Sequence, residues 1–401
     1  MKKIDWGAFF DCKNLKSVFI AEGVEYIESY AFDYCPNLQN VSIPNTIIGI
    51  ETTAFSNCPK LDGYLYNGGK YLGNEKVHNI VLIQLVDTTI TTFTFSDETI
   101  CLMPGVFKNC TNLENVIMNN KITKIPSRTF QGCSNLKNLT LGTGLTYIGS
   151  YAFDGCTNLT NVYCNGGMAT WCNIGFSSPY DYDSGYLKSF SSPMQYATNL
   201  YLENSVGEYE LFDGTLVIPE ETKKIYSGAF YGDYWDCVTN IIIHDGVEYI
   251  GQIAFNGTSY YKNDENWEDG VLYVGNYLVD VRGVPETYTM KPGVKLIANM
   301  AFFESGIREL YISDSVNYIN DRAFFWSRYL TTLHMPSELK EIGYQAFDNC
   351  EELTNVYITD IANWCGAEIH FNPMAYAQNV YLNGELITNL EIPDGVTRIK
   401  S

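Results

Sequence analysis

A short motif that returns about every 23 residues constrains this chain more than any other feature. Phenylalanines, most of them after an alanine, recur 22, 23 or 25 residues apart in four runs: Phe9, Phe32 and Phe55; Phe107, Phe130 and Phe153; Phe230 and Phe255; Phe302, Phe324 and Phe347. Such a period is typical of solenoid proteins, in which each repeat buries its apolar edge only against neighbouring repeats. Dividing 401 residues by 23 predicts about 17 repeats, here called rungs.

Each rung carries further apolar positions after the phenylalanine. The pattern Leu-x-x-Val-x-Ile contains an alternating pair, which predicts a short strand with one buried face. A later Val-x-x-Ile predicts a second inward-facing edge, and Tyr-Ala-Phe about one helical turn. Cysteines stand three residues after the phenylalanine at Cys12, Cys35, Cys58, Cys110, Cys133, Cys156 and Cys350. We predict small buried side chains with free thiols, because parallel side chains on neighbouring rungs rarely meet disulfide geometry.

The motif is interrupted near 59–103, 164–199, 256–298 and 359–379. The first and third segments read as degenerate rungs or hairpins. The second and fourth share a Trp-Cys pair and a later Tyr-Ala pair, and the second is longer by about 14 residues near 178–185. Because no low-complexity linker separates these parts, we predict one continuous solenoid over residues 1–401. Both ends fall within a rung, so we expect this chain to be a segment of a longer protein.

The residue between Val and Ile in each strand must point away from the core, because alternate strand residues face opposite sides. This outward position is occupied by Phe19, Ser42, Leu65, Thr94, Ile117, Thr140, Tyr163, Tyr201, Val217, Ile242, Thr289, Tyr311, His334, Tyr357, Tyr381 and Glu391. Tyrosine combines a large contact area with a hydrogen-bonding tip. The candidate binding residues are therefore Tyr163, Tyr201, Tyr311, His334, Tyr357 and Tyr381. The alternative is that aromatic residues at exposed strand positions only stabilise the sheet.

Asparagine recurs just before this strand, as at Asn115, Asn138 and Asn161, and just before the leucine, as at Asn112 and Asn135. Asparagine tolerates tight turns and bonds nearby backbone groups. We predict that these residues satisfy turn amides on successive rungs.

Charge and missing motifs exclude several classes of function. With 25 Lys+Arg against 46 Asp+Glu, the net charge is −21, which disfavours nucleic acid and anionic membranes as partners. No apolar run could span a membrane or act as a secretion signal. The sequence has no nucleophile elbow, phosphate loop, dinucleotide fingerprint or zinc motif, so we expect no enzyme activity, cofactor or metal. Two acidic groups, Asp181/Asp183 and Asp264/Glu265/Glu268/Asp269, lack calcium-loop spacing and are expected to be solvated.

The whole motif, Ala-Phe-x-x-Cys-x-x-Leu-x-x-Val-x-Ile-Pro at a period near 23, resembles the BspA-like leucine-rich repeat proteins of bacterial surfaces and some protozoa. The resemblance implies an α/β fold, a right-handed leucine-rich-repeat solenoid shaped as a horseshoe or arc. Parallel strands would form one face, with short helical turns and loops on the other. It further implies a cell-surface or secreted location and a role in adhesion or protein binding.

Two functional hypotheses follow. The first is a non-catalytic binding module whose strand face contacts a protein of a host or neighbouring cell. The second is a carbohydrate-binding or structural scaffold segment of a larger surface protein. The two differ in their ligand class, protein or glycan, and an enzyme within this segment would require a convergent nucleophile and base.

Overall fold

A computed structural model gives the arrangement of the rungs, and it describes residues 2–51, 53–177, 180–181, 186–187 and 191–392. The chain forms two compact units, Met1–Asp213 and Gly214–Ser401. Repeated rungs of two short strands and a turn build a leucine-rich-repeat β-solenoid of about 16 turns, which confirms the predicted fold class.

The first strand of each rung, at Val-x-Ile, pairs in parallel and in register with its counterparts. In the first unit these strands are Ser17–Phe19 and Asn40–Ser42, and then Thr92–Thr94, Asn115–Ile117, Asn138–Leu141, Asn161–Cys164 and Asn199–Glu203, with Tyr209–Leu211 antiparallel at the end. In the second unit they are Leu216–Val217 and Ile241–Ile242, and then Thr287–Thr289, Glu309–Tyr311, Thr332–His334, Asn355–Ile358 and Asn379–Leu382, with Glu385–Leu386 antiparallel at the end.

The second inward-facing edge of most rungs is also a strand, only two residues long, and these strands pair with one another in parallel. In the first unit they are Lys3–Ile4, Tyr26–Ile27 and Gly49–Ile50, and Lys124–Ile125, Tyr147–Ile148 and Gly175–Phe176. In the second unit they are Lys224–Ile225 and Tyr249–Ile250, and Leu296–Ile297, Tyr318–Ile319, Glu341–Ile342 and Glu368–Ile369. Strands of two residues are too short for alternation to reveal them in the sequence.

Antiparallel strands replace regular rungs at two of the interruptions. Tyr64–Tyr66, Gly69–Leu72 and Val81–Leu85 form a meander, and Cys101–Leu102 continues it in parallel. Trp267–Glu268, Val271–Val274 and Tyr277–Val281 form another, which Leu296–Ile297 joins in parallel. The remaining antiparallel pair is Tyr180–Asp181 with Tyr186–Leu187; most of the predicted extra segment near 178–185 lies outside the described residues.

Two predicted outward positions are wrong. Leu65 lies on the outer strand of the first meander, and Ser42 pairs instead with Gly73. Glu391 lies in no strand, because the antiparallel strand Glu385–Leu386 occupies the place beside Asn379–Leu382. In both places a hairpin ends the parallel ladder, whereas the sequence spacing predicts that the ladder continues.

Regular helices lie mainly in the interruptions. The α-helices are Gly167–Cys172, Ser259–Lys262 and Ile361–Gly366, and the 3-10 helices are Pro193–Gln195, Asp233–Cys237, Asp264–Asn266 and Pro373–Ala375. The Ala-Phe segment is a single hydrogen-bonded turn, in which the Ala31 N–H donates to the Glu28 carbonyl at 3.2 Å.

The core consists of side chains stacked at equivalent places of successive rungs. Phenylalanine rings lie face to face, for example Phe32 on Phe55 with centroids 5.3 Å apart and planes 2° apart. Six of the seven repeat cysteines are buried, and the terminal Cys12 is half-buried. Most of the thiols donate to the carbonyl of a phenylalanine on the preceding rung, as Cys133 does to Phe107 at 3.0 Å. This confirms the predicted free, buried thiols.

Two backbone positions have left-handed dihedral angles in most rungs, and one of them lies two residues before the phenylalanine, as at Tyr30 and Arg322. The other lies two residues after it, where φ ranges from 51° to 76° at Asp11, Tyr34, Asn57, Asn109, Gly132, Gly155, Glu304, Trp326 and Asn349. Side chains other than glycine strain this conformation, because Cβ approaches the following carbonyl oxygen. The recurrence of asparagine and glycine here is therefore explained by the backbone.

Replacing the exposed Glu304 by glycine should stabilise the second unit by roughly 0.5–1 kcal/mol, because the left-handed strain exceeds the entropy that glycine loses on folding. Chemical denaturation would measure the gain. Glu304→Ala is the matched control: it removes the same charge but keeps Cβ, so its midpoint should stay near that of the parent protein. Equal shifts for the two variants would contradict a backbone origin.

Candidate functional site

Four of the predicted binding residues lie side by side on the second unit. Tyr311 pairs with His334, His334 with Tyr357, and Tyr357 with Tyr381 in the parallel sheet. Leu310, Leu333 and Val356, each directly before one of these residues on its strand, are fully buried. Because successive strand residues face opposite sides, the four rings lie on the outer side of the sheet. We call Tyr311, His334, Tyr357 and Tyr381 the aromatic row.

The rings of the aromatic row stack face to face. Centroid separations are 3.8 Å from Tyr311 to His334, 4.4 Å from His334 to Tyr357 and 4.3 Å from Tyr357 to Tyr381, with planes within 14° of parallel. These separations are close to the strand spacing of about 4.8 Å, so the ring planes lie roughly perpendicular to the direction in which rungs succeed each other. Each inner ring has both faces covered, and ring edges and polar tips face outward.

Glu309 lies next to the aromatic row and is not among the residues predicted from the sequence. Its carboxylate accepts a hydrogen bond from the Tyr311 hydroxyl at 2.9 Å and lies 3.2 Å from Nε2 of His334. The Val-x-Ile pattern predicts one outward position per strand, whereas Glu309 occupies a second outward position, two residues before Tyr311. Period-two alternation would have identified it.

The same second outward position carries an amide ladder. In the second unit Asn379 Nδ2 donates to Asn355 Oδ1 at 3.0 Å. In the first unit Asn138 donates to Asn115 and Asn161 to Asn138, both at 2.7 Å. The prediction that these asparagines bond turn amides is wrong, because in-register strands place the side chains close enough to bond one another.

The asparagines before the leucine bond backbone groups, as predicted. Several of them reach the backbone of the preceding rung. Asn112 Nδ2 donates to the Thr88 carbonyl at 2.9 Å, and Asn135 Nδ2 to the Thr111 carbonyl at 2.8 Å. These bonds join consecutive rungs outside the sheets, and they use carbonyl oxygens rather than amide N–H groups.

The other two candidates, Tyr163 and Tyr201, are paired with each other in the first unit. Their rings stack with centroids 4.8 Å apart. Tyr209 of the closing antiparallel strand packs edge-on against Tyr163 at 5.2 Å, and its hydroxyl donates to the side chain of Asn165. This group is a shorter aromatic patch than the aromatic row.

Two phenols of the aromatic row, Tyr311 and Tyr357, have raised pKa values. The bond to Glu309 raises the pKa of Tyr311, and partial burial raises the pKa of Tyr357. Phenol pKa values are already near 10 in water, so both hydroxyls are neutral at physiological pH. They can donate and accept hydrogen bonds on the outer side of the sheet.

The buried cysteines are poor nucleophiles. Burial raises the pKa of Cys58 to about 11 and that of Cys156 and Cys350 to about 12, so these thiols are protonated at neutral pH. Only the thiolate is an effective nucleophile or metal ligand. Their role is to fill the core and to bond the carbonyls of the preceding rung.

Within the described ranges, no three His, Cys, Asp or Glu side chains are grouped so that they could hold a metal ion. In the second predicted acidic group, Asp264 pairs with Arg282, and Glu268 pairs with Lys291 at 2.9 Å. The side chains of Asp181 and Asp183 lie outside the described residues. In the part of the chain that the structure describes, no helix has both the length and the hydropathy to span a membrane.

The chain belongs to the BspA type leucine-rich repeat family. The family motif matches residues 1–75, 85–182, 212–280 and 285–401, which is most of the chain. No sequence among curated proteins is similar enough to count as a relative.

Several solved bacterial structures match this chain over most of its length, at low sequence identity. A leucine-rich repeat protein from Bacteroides ovatus is 18% identical, with 88% of this chain and 82% of that chain covered and a TM-score of 0.27. A leucine-rich cell surface protein from Faecalibacterium prausnitzii is 18% identical, with 96% and 77% covered and a TM-score of 0.24. The pneumococcal vaccine antigen PcpA is 15% identical, with 94% and 91% covered and a TM-score of 0.28.

Proposed function

We propose that this protein is a non-catalytic, cell-surface or secreted binding and adhesion module that recognises a protein partner through its strand face. The observation that carries the proposal is the aromatic row, four stacked rings on a rigid sheet with Glu309 beside them. Aromatic side chains held in one conformation lose little entropy on binding, and they dominate the energetics of many protein interfaces. The location outside the cell rests on the family resemblance.

The direction of the rings favours a protein over a glycan. Sugars bind aromatic residues through an exposed ring face, but in the aromatic row only the outer faces of Tyr311 and Tyr381 are not covered by another member. The outward groups are a line of ring edges, the phenol hydroxyls of the tyrosines, the Asn355–Asn379 amides and the Glu309 carboxylate. Such closely spaced donors and acceptors suit the backbone and polar side chains of a protein surface. The carbohydrate-binding scaffold remains the second candidate.

The test uses the purified chain on an array of purified extracellular proteins and on a glycan array. Changing Tyr311, Tyr357 and Tyr381 together to alanine should weaken binding to a protein on the first array by at least about tenfold, because it removes the central contact area. The matched control changes two exposed aromatic residues of the same unit that lie off the strand face, Tyr329 and Tyr344, to alanine. This control should bind like the parent.

A second triple variant separates loss of contact from loss of fold. Changing the same three tyrosines to phenylalanine keeps the stack but removes the hydroxyls, so we expect a stable protein with weakened binding. If binding survives the alanine triple variant, the strand face is not the site. If only glycans bind and the alanine variant abolishes that signal, the carbohydrate hypothesis replaces the protein one.

A further inference from the structure

The first unit contains a gap in its phenylalanine stack. Phe9, Phe32 and Phe55 form one stack, with centroids 5.1 and 5.3 Å apart, and Phe107, Phe130 and Phe153 form another, with centroids 5.2 and 5.4 Å apart. Between them the antiparallel meander takes the place of a rung, so the far face of Phe55 has no phenylalanine against it. An open cleft of about 300 Å³ lies there, lined by Phe55, Cys58, Leu61, Lys70, Ile83 and Met103.

Phe55 lines the cleft and Asn57 directly precedes the lining residue Cys58. Among the described residues, the N–H groups of Phe55 and Asn57 lack the partners that equivalent groups have on the interior rungs of a stack. On a regular rung the phenylalanine N–H donates to the next rung, as Phe32 does to the Ala54 carbonyl at 2.8 Å. The residue two positions later does the same, as Tyr34 does to the Ser56 carbonyl at 3.2 Å. Neither Phe55 nor Asn57 has an acceptor for its N–H among the described residues.

A carbonyl group at the same place is also without its usual donor. On regular rungs this carbonyl receives the thiol of the following rung, as Phe32 receives that of Cys58 at 3.1 Å. No described thiol donates to the Phe55 carbonyl, and Cys110, the first repeat cysteine after the gap, donates to no described carbonyl. The cleft therefore has the hydrogen-bonding pattern and the apolar wall of one missing Ala-Phe-x-x-Cys segment.

At two other stack ends, the chain supplies an acceptor for the N–H two residues after the last phenylalanine. At the end of the second stack, two residues after Phe153, the Gly155 N–H donates to the hydroxyl of Tyr196 at 3.1 Å. In the second unit, two residues after Phe347, the Asn349 N–H donates to the hydroxyl of Tyr376 at 3.2 Å. A tyrosine hydroxyl is thus the acceptor in both, and Asn57 occupies the same place of the repeat without one.

Both capping tyrosines follow the same short element. Each comes directly after a 3-10 helix, Pro193–Gln195 or Pro373–Ala375. The helix is capped by the preceding side chain, since Ser192 accepts from the Met194 N–H and Asn372 from the Met374 N–H. The sequence Pro-Met-x-Tyr-Ala is therefore a compact element that presents a phenol to the end of a phenylalanine stack.

We propose that the cleft beside Phe55 is a binding site for a tyrosine side chain on a peptide segment of a partner protein. The phenol ring packs against the apolar wall formed by Phe55, Ile83 and Met103, and its hydroxyl accepts a hydrogen bond from the Asn57 N–H. Pairing a free donor while burying an aromatic ring gives the site a preference for tyrosine over phenylalanine. The site lies in the first unit, so it goes beyond the proposed binding by the aromatic row of the second.

The probe is the acetylated and amidated nonapeptide Ser-Ser-Pro-Met-Gln-Tyr-Ala-Thr-Asn, which copies residues 191–199. It is titrated into the whole chain carrying isotope-labelled methionine methyl groups and asparagine amides. We expect saturable shifts of the Met103 methyl and Asn57 amide signals in the magnetic resonance spectrum. A second peptide with phenylalanine in place of tyrosine should bind about fivefold more weakly, which corresponds to one lost hydrogen bond.

Internal signals and blocking variants serve as controls. The buried Met118 lies in the same unit and should not move. Ile83→Trp and Met103→Trp each fill the cleft. Each should weaken binding of the tyrosine peptide by at least about tenfold, while the rest of its spectrum matches that of the parent protein. A filled variant that retains the parent affinity would overturn the proposal.

Three other results would also overturn it. Signals of Met103 and Asn57 that do not move at about 1 mM peptide would mean that the cleft has no useful affinity for this side chain. Equal affinities for the tyrosine and phenylalanine peptides would exclude the role of the hydroxyl. A shift of the Met103 signal that depends on protein concentration without any peptide would assign the cleft to a second copy of this chain.

Discussion

Replacing Phe324 by alanine is expected to lower the free energy of unfolding of the second unit by about 3–5 kcal/mol. The ring is fully buried between Phe302 and Phe347, with centroids 4.9 and 4.8 Å away and planes within 17° of parallel. Alanine would lose the transfer free energy of the ring and both stacking contacts, and it would leave a cavity that neighbouring rungs can only partly close.

In a solenoid this loss acts on two interfaces at once. Each rung is stabilised mainly by its nearest neighbours, so a cavity in an interior rung weakens its contacts on both sides. Phe9→Ala is the matched control, because Phe9 is 46% exposed and, among the described residues, its ring stacks only on that of Phe32. This substitution should lower the free energy of unfolding by less than about 1.5 kcal/mol, since half of the ring is already in water. Urea denaturation followed by circular dichroism would compare the two variants.

Equal destabilisation by the two substitutions would contradict a stack that is stabilised rung by rung. The unfolding curve also carries information. If the Phe324 variant unfolds in two steps while the parent unfolds in one, the weakened rung has become a boundary between cooperative segments, as expected when repeat interactions are short-ranged.

The positions of core residues could be predicted because they keep phase with the period. Phe302, Phe324 and Phe347 recur at 22 or 23 residues, and all three are buried. The aromatic row could also be predicted, because a single Val-x-Ile step fixes which residue points outward. Whether that row binds a partner is a separate question, since stacked rings would stabilise the sheet in either case.

What the sequence did not reveal has physical reasons. Leu65 keeps the local pattern of a first strand, but it belongs to an antiparallel meander whose pairing depends on contacts distant in sequence. Glu309 stands at the second outward position of its strand, and nothing in its spacing distinguishes it from a solvated acid. The open N–H groups at Phe55 and Asn57 follow from the absence of a neighbouring rung, which is a property of packing and not of composition.

Asp280 is a half-buried carboxyl group that costs stability at neutral pH. It lies on the strand Tyr277–Val281, where it accepts hydrogen bonds from the Tyr261 hydroxyl at 2.7 Å and the Val281 N–H at 2.8 Å. Both bonds, and the nearby Arg282 charge, favour the ionised form, but burial outweighs them and raises the pKa of Asp280 to about 6.

The sign of the pH dependence follows from this raised pKa. An unfolded aspartate has a pKa near 3.9, so between about pH 4 and pH 6 the folded state binds more protons at this site than the unfolded state does. The contribution of Asp280 to stability therefore falls as the pH rises through that window. Above pH 6 the full cost remains, about 3 kcal/mol for a shift of roughly two pKa units.

Asp280→Asn should accordingly be more stable than the parent by about 2–3 kcal/mol at pH 7.5, and the difference should vanish near pH 4. The amide can keep both hydrogen bonds, with its oxygen accepting from the Val281 N–H and its nitrogen donating to the Tyr261 hydroxyl. Urea midpoints of both proteins, taken from pH 4 to pH 7.5, would measure the difference. Comparing the proteins at each pH removes the effect of the other acidic residues.

Asp269→Asn is the matched control for the charge. Asp269 belongs to the same meander region, is exposed, and has left-handed dihedral angles with φ of 49°, which asparagine tolerates well. Its substitution makes the same change in net charge without removing a buried carboxylate, so the stability should shift by less than about 0.5 kcal/mol at any pH. If Asp280→Asn gave a curve parallel to that of the parent, Asp280 would titrate alike in the folded and unfolded chains. Burial would then not control its ionisation.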